Sequence, residues 1–429
     1  MKANLSTILI LSAIAMLGMS CEDVVRETKS MNVPEYMSAE DVRASVGIRP
    51  IPQEGIAEFG KIYVKGDYIF INEPFKGIHL IDNKNPKTPS QLKFISIPGN
   101  IDMAVKGNIL YADSYRDLVV LDIENIHDIK VVDRVLNLLP YTAPLPENNY
   151  PTREYDTAMG IVVGWKVEKV TEEKEYYGGN FIQELSMEPQ MRYDAEAIST
   201  DGSGNYSLIG TGGSMARFTI SNDMLYIVDN SNLQVLDISV SDHPEYIKEV
   251  SIGMGIETIF PNEDRLFIGS AWGMFIYDIS NPEDPAYVSE FAHVVSCDPV
   301  VVEGNTAYVT LREGNNCGGF VNQLDVIDIT DINEPKLEIS YEMFNPHGLA
   351  VVDSVLYLCD GDEGLKIYDV GDKMSITEHQ LAHFDEIHAY DVIPIGDKAI
   401  MIGDDGLYQY DITNIEDVKL ISLFKKAAL

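Results

Sequence analysis

The sequence predicts an all-β protein, a seven-bladed β-propeller of four-stranded repeats about 40 residues long. Three observations carry that expectation. The phrase LVVLDIENIHDIKVVD at 118–133 returns as FIYDISNPEDPAYV at 275–288 and as VIDITDINEPKLEI at 326–339, and a recurring phrase marks a repeated packing unit. An aspartate closes each apolar run, at Asp82, Asp122, Asp237, Asp278, Asp328, Asp369 and Asp411. Between these markers lie short β-branched and aromatic runs bounded by Gly, Asn, Asp and Pro, the composition of strands joined by tight turns.

On one template the copies occupy 62–82, 103–122, 218–237, 258–278, 300–328, 349–369 and 392–411. Each has a strand ending in a turn such as Gly66-Asp67 or Gly107-Asn108, an aromatic-bearing second strand, a polar loop, and a third strand ending in the aspartate. A fourth strand follows the marker, as at 130–135, 246–252 and 287–291. The marker itself needs only a structural account: a carboxylate at a strand end accepts backbone N–H groups from the next turn. Steps between markers are 40, 115, 41, 50, 41 and 42 residues, so one interval is too long by more than a repeat.

The phrases LVVLD (118–122), LQVLD (233–237), MFIYD (274–278) and LKIYD (365–369) resemble the LVIVD-repeat family, exported propeller-like proteins of Bacteroidetes-type bacteria. The resemblance spans residues 55–425 and implies the propeller fold; it implies little about activity.

Residues 1–21, MKANLSTILILSAIAMLGMSC, carry one basic residue, Lys2, and an apolar stretch too short to span a bilayer. Ending at Cys21, they resemble a lipoprotein signal, although Leu17 stands one place further upstream than the usual lipobox leucine. Lipidation of Cys21 and an outer-membrane or surface location are expected, with simple export to the periplasm as the alternative. Residues 22–54 read as a linker. The only membrane contact expected is through the lipid. Lys and Arg number 31 against 68 Asp and Glu, a formal charge of −37, so the mean field repels a phosphate backbone and argues against nucleic acid.

The long interval, 136–214, begins rich in proline, offers a strand at 161–170, and ends in a glycine-rich stretch that reads as a flexible link. Long insertions in repeat proteins fall on loops, often on the binding face. In an oxidising compartment Cys297 and Cys317 are expected to pair, since a strand start and a returning loop share one face, while Cys359 should be buried.

The residue five or six places before each first turn should ring the channel mouth: Asp102, Arg217, Glu257, Asp298, His347 and Asp391. Loops after the second strands add Glu73, Asp113, Asp229, Asp360 and Asp404. Converging carboxylates, with Asp298, Asp360 and Asp391 as the candidate ligands, suit a hard cation such as Ca²⁺; a hydrated acidic funnel with no fixed ion explains them as well. DGDEG at 360–364 starts like a calcium loop but lacks its later ligands. Two of His379, His383 and His388 could share one face of a strand, but that strand is the outer one of its blade, where surface histidines are commoner than a zinc site. No Walker loop, HExxH or nucleophile elbow occurs. The leading expectation is therefore a binding or scaffold module for an envelope protein or a small extracellular ligand. Its rival is a metal-assisted, lactonase-like hydrolase on the same acidic face.

Overall fold

The computed structural model describes residues 24–53, 55–175, 212–292, 299–313 and 321–427. Contacts divide the chain into two units, 1–36 with 145–189, and 37–144 with 190–429. In the first, β1 (Val24–Met37) pairs with β11 (Ile161–Glu175), which contains the strand expected at 161–170. The stretch read as a linker is thus ordered: β1 is followed by a short helix α1 (Ala39–Ala44) and by β2 (Gly47–Arg49). Pro34 argues against a strand by composition, yet a two-stranded ribbon has free edges where a missing N–H costs nothing.

The second unit holds seven antiparallel sheets, each of four consecutive strands. Blade one is β3 (Ile62–Lys65), β4 (Tyr68–Glu73), β5 (Gly77–Asp82) and β6 (Ser90–Ser96), with β2 added on its outer edge. Blade two runs from β7 (Met103–Lys106) through β8 (Ile109–Ser114) and β9 (Asp117–Asp122) to β10 (Lys130–Val135). The other blades begin at β12 (Phe218–Ser221), β16 (Ile256–Asn262), β20 (Val300–Glu303), β24 (Leu349–Val352) and β28 (Ala389–Ile395). From β3 round to β28, each first strand packs against the first strand of the next blade. The ring closes where Ile62, Val64 and Ile69 of blade one pack on Ile393, Ile400 and Leu407 of blade seven.

Burial explains the reading of the repeats. Inner strands are covered on both faces by neighbouring blades, so they are apolar almost throughout, as in β8, where all six residues are buried. Fourth strands face solvent and read as mixed. In every blade the pairing of third and fourth strands carries a β-bulge, which adds twist at the outer edge. All seven marker aspartates accept the amide two residues on, at 2.7 to 3.0 Å. The recurring phrase is a strand, its Asx turn and the bulged strand that follows.

Second-strand tyrosines tie blades together. The Tyr111 hydroxyl donates to Ser241 O at 2.6 Å, and Tyr226 to Pro282 O at 2.7 Å, each in the following blade. Burying a phenol this way satisfies its polar end while its ring fills the interblade core.

Candidate functional site

The first strands begin on one face of the ring, and the rule that selected the strand-start residues also selects Lys61 in blade one, five places before Gly66. These positions alternate in sign around blades one to four: Lys61, Asp102, Arg217, Glu257. Lys61 Nζ bonds Asp102 Oδ2 at 2.9 Å, both side chains being more than nine-tenths buried. The same oxygen accepts the Arg217 amide at 2.6 Å, and Asp102 Oδ1 accepts the Met103 amide at 2.7 Å. Asp102 therefore joins three blades. Burial lowers the Lys61 pKa, with the Asp102 charge opposing and Arg217 adding to the fall. Asp391, fully buried, accepts the Val392 amide just as Asp102 accepts that of Met103. Glu257 lies at a bulge where β16 begins, and Asp298 is outside the described residues.

The loop carboxylates are mostly occupied. Glu73 bonds Lys76 and the buried His79. Asp229 accepts the amides of Ser231 and Asn232. Asp360, fully buried, accepts the amides of Phe344 and Asn345 and pairs with Lys366 at 2.6 Å. The Lys366 ammonium group already balances the Asp360 charge that a Ca²⁺ would have met. Among the described residues no group of three or more His, Cys, Asp or Glu is arranged to hold a metal ion.

The end of the long interval differs from a free tether. Lys61 Nζ donates to Met215 O at 2.9 Å, Leu349 N to Ser214 Oγ at 3.0 Å, and Ile259 N to Ala216 O at 2.9 Å. Gly212 lies against the Tyr63 ring. These partners belong to the first strands of blades one, six and four or their entries, so 212–216 crosses the central channel. Small residues suit that narrow space, which is why composition read as flexibility.

Between blades two and three, on the strand-start face, lies a cavity of about 230 Å³. Its walls include Phe75, Tyr115, Tyr141 and Phe218 together with Asp102, Asp113, Arg217 and Asp229. The start of the long interval supplies one wall, residues 139–142. That strap is held at its root by Asp117, which accepts the Asn137 amide at 3.0 Å and bonds Arg43 of α1 and Arg134. Burial works against the Asp117 charge, yet Arg43, the Asn137 amide and Arg134 hold its carboxyl below the usual range. The Arg116 guanidinium sits over the Tyr141 ring, 5.4 Å from its centroid.

Asp113 is the most unusual wall residue. Its Oδ1 accepts Ile101 N at 2.7 Å, Asp102 N at 3.0 Å and Asn100 Nδ2 at 2.8 Å. Every bond its carboxylate makes goes to that one oxygen. Burial pushes its pKa up to about 6, against the pull of those amides, with the Asp102 charge adding to the rise. Tyr115, 5% exposed and held at φ +56°, has a buried hydroxyl with no hydrogen-bond partner. Gly99 permits this placement, since a Cβ there would lie 2.5 Å from the Tyr115 ring.

A second cluster lies on the same face over blades five to seven. His347, 3% exposed, meets Arg312 Nη1 at 3.0 Å and packs edge-on to His388 and Tyr390. His388 bonds Asp362, and Tyr390 bonds Asp404. His388 immediately precedes β28, the innermost strand of blade seven, after the outer strand β27 (Gln380–Phe384) has ended. His383 lies on that outer strand and bonds Glu363 O at 2.7 Å, while His379 caps the turn before it. The three histidines do not converge.

Of the six strand-start residues, Asp102 and Arg217 reach the cavity, His347 and Asp391 lie toward blades six and seven, Glu257 stands apart, and Asp298 is outside the described residues. Missing from the sequence reading were Lys61, which its own spacing rule would have found, and the aromatic walls, which have no sequence pattern. Cys359 is fully buried, as expected. Cys21, Cys297 and Cys317 lie outside the described residues, so the lipidation and the disulfide expectations do too.

The LVIVD repeat pattern matches residues 100–134 and 212–250, the two blades that flank the cavity. Among solved structures, the periplasmic gluconolactonase PpgL of Pseudomonas aeruginosa has a TM-score of 0.51 at 10% identity, covering 86% of this chain and 97% of that one. The computationally designed Ika8 protein gives 0.50 at 10% identity over 86% and 88%. Identities this low show shared architecture and nothing of activity. No curated protein matches the chain. Blade count, strand order and matched repeats agree: the chain is a seven-bladed β-propeller that carries LVIVD repeats.

Proposed function

We propose that the protein is a binding module of the bacterial cell envelope, exported and anchored by a lipid on Cys21, that takes a small ligand in the cavity between blades two and three. The observation that carries this reading is Asp113: a buried carboxylate lining a cavity, with all its internal bonds on one oxygen. Concave sites with apolar walls and a few fixed polar groups are where small molecules bind. The strap at 139–142 is supported through Asp117 by two arginines, which favours a wall of constant shape. The signal-like residues 1–21 support export, and an oxidising compartment supports a Cys297–Cys317 bridge beside the channel mouth.

Small-molecule fractions of an envelope extract should supply the test. A fraction containing the ligand raises the melting temperature of the wild type by mass action. Thr142→Trp, which fills the cavity from its half-buried wall, should abolish that rise while melting normally without ligand. Equal stabilisation of the variant would place the ligand elsewhere and remove the cavity from the argument.

A further inference from the structure

The cavity contains clues to the chemistry of its occupant, and the inference rests on the binding reading above. Asp113 Oδ2 accepts no hydrogen bond from the protein. An ammonium ligand would meet Arg217 in the walls, and a carboxylate or phosphate would meet Asp102, Asp113 and Asp229 there. A hydroxyl both donates and accepts. The walls also require apolar surface: Phe75, Tyr115, Tyr141, Phe218, Ile101 and Ile227 all line the space.

We infer that the cavity between blades two and three takes a neutral polyhydroxylated ring, a single sugar unit, with a hydroxyl donating to Asp113 Oδ2 and an apolar face against the aromatic walls. At about 230 Å³ the space admits one such ring rather than a chain lying within it. The ring would be a free monosaccharide or the end unit of a longer glycan. Asn100 fixes the geometry: fully buried, it donates to Asp113 Oδ1 and to Asp102 O and accepts from Asn72. A carboxylate gripped on one oxygen in this way directs the other with little freedom, as a hydroxyl-recognising acceptor requires.

Isothermal titration of the full exported protein with glucose, galactose, mannose and N-acetylglucosamine, beside choline and lysine amide, tests the class. The expected result is binding of at least one sugar and neither cation. Asp113→Asn should weaken that binding roughly tenfold or more, by loss of a charge-assisted bond. Binding in the wild type should likewise weaken as Asp113 takes up its proton, below about pH 6, whereas the Asn variant should show no such step. Thr142→Trp should eliminate binding; it is first checked for a wild-type melt, and Asp113→Asn for a cooperative melt no lower than that of the wild type. Choline or lysine amide binding that Thr142→Trp blocks would overturn the sugar class and leave the cavity as a binding site. Binding of neither class, or sugar binding unchanged by both variants, overturns the inference; if the extract fractions then also stabilise Thr142→Trp, the binding reading of this cavity falls with it.

Discussion

Replacing Asp113 with Asn should make the protein more stable at neutral pH and leave it unchanged at acid pH. The Asn carbonyl can keep the three bonds now made to Oδ1 while carrying no charge. In the wild type the carboxyl is raised from 3.8 to about 6, chiefly by burial. A raised acid pKa means that the native state holds the proton more tightly than the unfolded chain. The associated stability is complete below 3.8 and is lost as pH rises through about 6. At 1.36 kcal/mol per unit, ionising Asp113 at pH 7.5 costs the fold about 3 kcal/mol at most, and water in the cavity reduces that. Thermal melts of wild type and variant at pH 4 and pH 7.5 give the check. The melting-temperature difference should be near zero at pH 4 and a few degrees in favour of Asn at pH 7.5. A difference independent of pH, or a variant that melts lower at pH 7.5, would refute the account of Asp113 as a carboxylate held against its own charge.

Four further outcomes are expected. Asp102→Ala strands Lys61 in a buried site and should cost about 3–5 kcal/mol in chemical denaturation, whereas Lys61→Met with Asp102→Leu should recover much of it; equal losses would show that the ion pair itself is not the issue. Gly348→Ala places a Cβ 2.2 Å from Asp391 Oδ1 and should impair folding, while Gly253→Ala, whose nearest atom is 3.4 Å away, should be tolerated; similar melts for the two would remove the steric argument. Cys21→Ser should release the protein from the membrane fraction into solution, and continued sedimentation with membranes would point to another anchor. Peptide mapping without reductant should recover Cys297 and Cys317 as one linked peptide, closing a loop worth about 3 kcal/mol in the chain-entropy model; both found alkylated would exclude the bridge.

The sequence determined by itself what is local. Marker aspartates were readable because an Asx turn spans two residues, and all seven form it. Strand runs were readable because burial between blades makes inner strands apolar at successive positions. Strand-start positions followed from counting back from a turn, and that count placed Asp102, Arg217, His347 and Asp391 on one face. What those residues do there was decided only by the tertiary structure. Asp360 bonds Lys366 six residues on, a pairing that a search for calcium ligands passes over because it asks only for oxygens. Asp102 is neutralised by Lys61 from another blade, and segment 212–216 bonds blades one, four and six. The cavity draws on positions from Phe75 to Asn230, brought together when blades two and three pack side by side. Short-range hydrogen bonding leaves a repeating trace in the chain; the charge balance and shape of a site assembled across blades depend on long-range packing, which leaves none.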